Sequence, residues 1–149
     1  MVAKLMVTQG EWAHELLKAA EVMLGHPAGV EEVKLDWAED PAESKARLRA
    51  VFDRVDQGEG VLVLTDVIGG TPCNVAMSFL EPRRVEVVSG LNLPMILRLG
   101  CPGTEGMELS ELARWLRGKA QASVCLGSEV AERPSKDEGK GRKCADDRT

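Results

Sequence analysis

Apolar positions recur along the chain with two distinct periods. Val2 to Val7 is an apolar run broken only by Lys4 and closed by Thr8-Gln9-Gly10, the pattern of a strand buried on both faces. Ala13, Leu16, Leu17, Ala20, Met23 and Leu24 then fall at spacings of three and four, which predicts a helix that Gly25 and Pro27 stop. Val33, Leu35 and Trp37 alternate with Glu32, Lys34 and Asp36, which predicts a strand with one covered face near a sheet edge. Asp40-Pro41-Ala42-Glu43 reads as a helix start: Asp40 caps, Pro41 is the first residue and Glu43 reaches back. Leu48, Val51, Phe52 and Val55 form its buried stripe, and Gly58 and Gly60 end the unit. Val61-Leu62-Val63-Leu64 is uninterrupted and β-rich, as a central parallel strand is.

The loop Asp66 to Pro72 follows, with Thr71 as cap and Pro72 as first residue of a short helix running to about Leu80. Val85-Glu86-Val87-Val88 is a fourth strand, and Asn92-Leu93-Pro94 opens a short helix ending near Gly100. After a Gly/Pro-rich connection over 101–107, Leu109, Leu112, Ala113 and Leu116 mark a further helix. Ser123-Val124-Cys125-Leu126 is predicted as a last strand. From Ser128 onward apolar residues thin out and charges mix. One domain over 1–127 and a charged, disordered tail over 128–149 are expected.

Strand and helix thus alternate, which implies an α/β three-layer sandwich with an open, mainly parallel sheet. Such sheets bind ligands beyond the carboxyl ends of their strands, where the strand order reverses. If the order is 2-1-3-4, strands 1 and 3 are neighbours. Their following loops, Thr8-Gln9-Gly10 and Asp66 to Thr71, then meet at the switch.

Composition narrows the classes. The 149 residues suit one domain. A net charge of −5 and an aromatic content of 3% without tyrosine argue against a nucleic-acid partner. The four cysteines, Cys73, Cys101, Cys125 and Cys144, form no CxxC pair, and no histidine stands at ligand spacing from them. They read as buried or free thiols in a reducing compartment, with no metal expected. The apolar start, Met1 to Val7, is too short for a signal sequence or a membrane span, so a cytoplasmic protein is expected.

Asp66 follows a buried strand directly and is held at the rim of the crevice. Gly69-Gly70 lets backbone amides approach a ligand, and Thr71 leads into a helix start, which favours anions. This combination suits a phosphoryl group or its carrier; the plainer reading of Asp66 is a turn residue bonding nearby amides. Gly90-Leu91-Asn92-Leu93-Pro94-Met95 lies on the same rim, and taken alone is a capped helix start.

Taken together these segments resemble a family. Thr8-Gln9-Gly10, Leu64-Thr65-Asp66-Val67-Ile68-Gly69-Gly70-Thr71-Pro72-Cys73-Asn74 and Ser89-Gly90-Leu91-Asn92-Leu93-Pro94-Met95, in this order, are similar to the enzyme IIA domain of the mannose family of the bacterial sugar phosphotransferase system. The resemblance covers residues 1–100 well and 101–126 weakly. It implies a parallel sheet of order 2-1-3-4 and a homodimer, often with an antiparallel C-terminal strand exchanged between subunits. It implies partners within that system, the small phosphocarrier protein and a IIB domain, with only indirect membrane association and no cofactor. It also implies a phosphoacceptor histidine in the loop after strand 1, oriented by an aspartate that Asp66 matches. The lining residues are then Thr8, Gln9, Gly10, Asp66, Gly69, Gly70, Thr71 and Asn92.

The acceptor position here is Gln9. A carboxamide nitrogen delocalises its lone pair into the carbonyl, whereas a neutral imidazole nitrogen is a nucleophile near neutral pH. Asp66 is left to accept a hydrogen bond from the Gln9 amide. His14 falls beside the buried stripe of the first helix and reads as an ordinary surface histidine, and His26 lies about 20 Å away at the helix's far end. Asp66 as an aspartyl-phosphate acceptor lacks a magnesium-binding acidic cluster. The leading expectation is therefore an acceptor-deficient binding or regulatory variant. The alternatives are an active carrier with another acceptor, His14 after rearrangement, or a relative of the IIA-like domain that supplies dihydroxyacetone kinase. A nucleotide-binding reading lacks the G-x-G-x-x-G fingerprint and a P-loop lysine.

Overall fold

The computed structural model describes residues 1–131. Four strands, β1 (Ala3–Gln9), β2 (Glu31–Leu35), β3 (Val61–Thr65) and β4 (Val85–Ser89), form a parallel sheet of order β2-β1-β3-β4. The connecting helices are α1 (Trp12–Leu24), α2 (Pro41–Val55), α3 (Thr71–Met77), α4 (Leu93–Gly100) and α5 (Leu109–Ala122), with a short α6 (Gly127–Ala131) at the end.

The two continuous apolar runs are the two central strands. Met6, Leu62 and Leu64 pack on one face with Ala13 and Ala20 of α1, Met95, Ile96 and Leu99 of α4, and Leu112 and Leu116 of α5. Leu5, Val7, Val61 and Val63 pack on the other with Leu48 and Phe52 of α2 and Val75 and Ala76 of α3. Both faces are covered, so neither strand alternates in polarity. The period-two strand β2 sits at an edge, with only Val33 and Leu35 buried.

Local signals place the helix ends. Gly25 terminates α1 in the left-handed region, its N–H donating to Glu21 O at 2.9 Å. Asp40 caps α2 with its side chain accepting from Ala42 N, and Pro41 opens the helix; Glu43 makes no bond back to the cap. Asn92 caps α4 through Met95 N at 3.1 Å. Lys4, polar within β1, turns its Nζ to Leu99 O at 3.1 Å and Thr104 Oγ1 at 3.4 Å, satisfying a carbonyl near the C-terminal end of α4. Burial lowers its pKa from the ordinary lysine value.

Several expectations are corrected. Met23 is 65% exposed, outside the α1 stripe. Gly70, rather than Thr71, is the N-cap of α3, which ends at Met77. Trp37 lies beyond the end of β2 and is 80% exposed. Residues 123–126 form no strand within the chain, and Val124 and Leu126 are exposed, because no open strand edge of the same chain meets them. Gly127–Ala131 are helical where the tail was expected to begin, and the rest of that expectation, 132–149, lies outside the described residues. Cys73 and Cys125 are free thiols, but Cys101 is disulfide-bonded.

Candidate functional site

The carboxyl ends of β1, β3 and β4 carry three loops that the backbone ties together. Val7 pairs with Thr65, so Gln9 and Asp66 leave neighbouring strands at the same end of the sheet. Gly90 N donates to Asp66 O at 3.0 Å and Leu91 N to Thr65 O at 2.9 Å, joining the loop after β4 to that after β3. Gly10 N donates to Leu35 O at 3.2 Å, joining the loop after β1 to the end of β2.

Within the β3 loop, Gly70 N donates to Val67 O at 3.0 Å, closing a turn whose third residue is Gly69 at φ 83°. That conformation costs glycine nothing and other residues strain. Asn74 Nδ2 donates to Gly69 O at 3.1 Å and pins the turn to α3. The Asn92 carboxamide is used in the same way: it caps α4 and its Nδ2 donates to Gly90 O at 3.1 Å. Asn92 shapes the rim rather than presenting a free group to it.

The two residues at the centre stand differently from expectation. Gln9 keeps the strand parity of Leu5 and Val7 and so stands on the side of α2 and α3. Its carboxamide is half-buried and makes no hydrogen bond to Asp66. The Asp66 carboxylate instead curls back to its own turn, Oδ1 accepting from Val67 N at 2.8 Å, and no cation pairs with it among the described residues. Thr8 is fully buried, and its hydroxyl has no partner among the described residues. Thr71 is exposed at the first position of α3.

Neither histidine enters the rim. His14, in the first turn of α1, donates from Nδ1 to Glu32 Oε2 of β2 at 3.0 Å, with its ring 44% exposed. Glu32 is 12% exposed, and its Oε1 has no partner among the described residues. His26 bonds the adjacent Pro27 carbonyl at 2.9 Å, beyond the C-terminal end of α1. A groove of about 320 Å³, lined by β4 residues 86–89 and by Ser110, Ala113, Arg114 and Arg117, runs beside the open edge of β4.

A set of apolar side chains around the rim was missed. Trp12, Trp37, Val67 and Ile68 are 42%, 80%, 64% and 71% exposed. The Trp37 indole covers the first loop: its Nε1 stands 3.4 Å from where a Cβ on Gly10 would be. The signal for Trp37 was Asp36-Trp37-Ala38-Glu39-Asp40, a polar stretch before a helix-opening proline, which marks a loop on this rim. At the same rim Lys34 bonds Glu11 at 2.6 Å, which holds the Glu11 carboxyl below its ordinary value and the Lys34 ammonium above it.

Residues 4–114 match the family described as "PTS system fructose IIA component". The chain belongs to this family. Within it, the "PTS system mannose-specific EIIAB component" of Escherichia coli (strain K12) is 32% identical over 97 residues, covering 64% of this chain and 30% of that protein. The chain therefore spans less than a third of that relative's length. The "PTS system fructose-specific EIIA component" of Bacillus subtilis (strain 168) is 25% identical over 134 residues, 89% of this chain and 91% of that protein. Among solved structures, the mannose/sorbose specific IIA subunit of the phosphotransferase system from Enterococcus faecalis superposes with a TM-score of 0.73 at 32% identity, covering 85% of this chain and 95% of that one. The open parallel sheet of order 2-1-3-4 is the IIA fold of these neighbours. Among the described residues, no helix is long and apolar enough to cross a membrane.

Proposed function

We propose that this IIA-family chain acts in the cytoplasm as an acceptor-deficient, regulatory member that docks other phosphotransferase-system proteins on the rim formed by the loops after β1, β3 and β4. The phosphocarrier protein and a IIB domain are its proposed partners. The observation that carries the reading is Gln9 at the position where the family resemblance calls for a nucleophilic histidine. A carboxamide has no available nitrogen lone pair for phosphoryl transfer. The rest of the rim keeps the family's pattern, Asp66 and the Gly69-Gly70 turn included, and its exposed apolar side chains give a partner something to bury. The test is incubation of the full chain with phosphoenolpyruvate, enzyme I and the phosphocarrier protein. The expected result is no acid-labile phosphate on the chain while it still binds the phosphocarrier protein.

One observation favours a second reading, an active carrier. The His14–Glu32 pair fixes the proton on Nδ1 and leaves Nε2 as the free nucleophile on a half-exposed ring. Label that appears in the same assay and vanishes in His14→Ala establishes this reading and ends the first.

We further propose a homodimer in which residues 123–126 of one copy pair with the outer edge of β4 in the other. Val124 and Leu126 are 84% and 63% exposed, and β4 ends the sheet with no further strand on its outer side among the described residues. Light scattering is expected to give twice the 16.1 kDa chain mass, and Val124→Asp with Leu126→Asp is expected to give monomer. A monomeric parent chain sinks the proposal.

A further inference from the structure

The rim's charges are one-sided. Its loops, residues 10–11, 36–40, 66–70 and 90–92, contain five carboxylates, Glu11, Asp36, Glu39, Asp40 and Asp66, and no lysine or arginine. Two of these are neutralised from the strands and helices behind: Lys34 pairs with Glu11 at 2.6 Å and Arg47 with Glu39 at 3.0 Å. Asp36, Asp40 and Asp66 have no cationic partner among the described residues. Asp40 is engaged as the cap of α2. Asp66 is set among the apolar group: Val67 and Ile68 follow it directly and are exposed, and Trp37 covers the adjoining Gly10 loop. One of its oxygens is held by Val67 N, and neighbouring Gln9 offers it no proton. The rim is thus an apolar patch that includes the uncompensated Asp66 carboxylate beside Val67 and Ile68, and that carboxylate is desolvated when a partner covers the patch.

Resting on the docking reading above, we propose that this rim discriminates between the two phosphorylation states of its partner, holding the unphosphorylated phosphocarrier protein and rejecting the phosphorylated one. Charge complementarity favours a partner face that brings a cation or a neutral donor to Asp66. A phosphoryl group on that face adds about two negative charges and sets them against a fixed carboxylate where covering the patch removes water's screening. In a family member with an acceptor histidine, the resemblance implies an imidazole whose N–H engages this carboxylate and whose other nitrogen meets the phosphoryl group; with Gln9 offering no proton, the carboxylate stays uncovered and the repulsion stands. The chain then reports the uncharged state of the phosphoryl-transfer chain.

The test is a titration of the full-length protein with the phosphocarrier protein, unphosphorylated in one arm and kept phosphorylated by phosphoenolpyruvate and catalytic enzyme I in the other. The phosphorylated form is expected to bind about tenfold or more weakly, and the difference is expected to shrink as salt is raised. Asp66→Asn keeps an oxygen for the Val67 amide and removes the charge. It is expected to bring the two affinities within about twofold of each other. Equal or tighter binding of the phosphorylated form, or a ratio unchanged by Asp66→Asn, overturns the proposal while leaving the docking reading intact. No binding of either form up to about 1 mM overturns the docking reading and this proposal together.

Discussion

Gln9→His is expected to be labelled to on the order of one phosphoryl group per chain, where the parent chain is expected to take up none. Position 9 is the last residue of β1, with Gly10 hydrogen-bonded to the end of β2 behind it. The loop that carries it is therefore already built, and the substitution changes a side chain at a fixed backbone position. Imidazole and carboxamide are similar in reach, and the half-buried Gln9 side chain has no hydrogen bonds to lose among the described residues. Asp66 stands on the neighbouring strand end with one oxygen outside its bond to Val67, and it is expected to take the imidazole N–H and hold the tautomer. The product is a phosphoramidate, labile in acid and stable in base, and mass spectrometry locates it. Asp66→Ala on the Gln9→His background is expected to slow transfer on the order of tenfold or more, as loss of an orienting carboxylate does. If Gln9→His stays unlabelled while it still binds the phosphocarrier protein, the rim does not present position 9 to the donor, and the acceptor-deficient reading loses its basis.

The largest loss of stability is expected from Gly60→Ala. Gly60 immediately precedes β3 at φ 86°, in the left-handed region where an L side chain costs roughly 1–2 kcal/mol. A Cβ there would stand 2.7 Å from Arg83 O, 3.1 Å from Arg84 O and 2.9 Å from Leu109 Cδ2. Two of these are backbone atoms of the segment entering β4, which bonds Val61 N through Arg84 O at 2.8 Å. Relief of the clash therefore shifts the β3–β4 register, and overpacking of this kind adds about 1–3 kcal/mol. The sum, about 2–5 kcal/mol, corresponds to a fall in Tm on the order of 10 °C for a domain of this size. Gly58→Ala shares the positive φ, at 96°, but meets no atom within 4 Å. It is expected to lose only the conformational part, and calorimetry of the two variants separates clash from strain. Equal Tm values for the two place the whole effect in backbone conformation.

Reading the chain residue by residue succeeded where a single local cause decides the outcome. Val61 to Leu64 reads as a central strand because a strand covered on both faces has no polar side to show, and it is buried throughout. Gly25, Asp40 and Asn92 end or begin helices because capping is settled within four residues. Trp37 was misplaced for an equally physical reason. Its alternation with Leu35 continues past the last residue that pairs with β1, and side-chain period alone does not say where hydrogen-bonded partners run out. Val124 and Leu126 have strand chemistry, but a strand exists only where an edge accepts it, and among the described residues of one chain none pairs with them. Met23 obeys helical spacing yet faces solvent, because the width of the buried face depends on what packs against α1.

The candidate site divides along the same line. The loops after strands 1 and 3 were expected to meet, and the β1–β3 pairing brings them together. The bond foreseen between Gln9 and Asp66 is absent; Asp66 closes on its own turn. The His14–Glu32 contact joins residues eighteen positions apart on different elements, and neither residue's neighbours in the chain announce the other.

The amino-acid sequence by itself determined the alternation of strands and helices, the caps that bound them and the carboxamide that stands at position 9. Each of these is a property of one residue or one short window, governed by periodicity, backbone preference or functional-group chemistry. Tertiary structure alone decided which carboxylates find cations, which apolar side chains stay in water around the rim, and which strand edge is left open. Those outcomes depend on distances between segments far apart in the chain, which exist only once the sheet and its two helical layers have closed on each other.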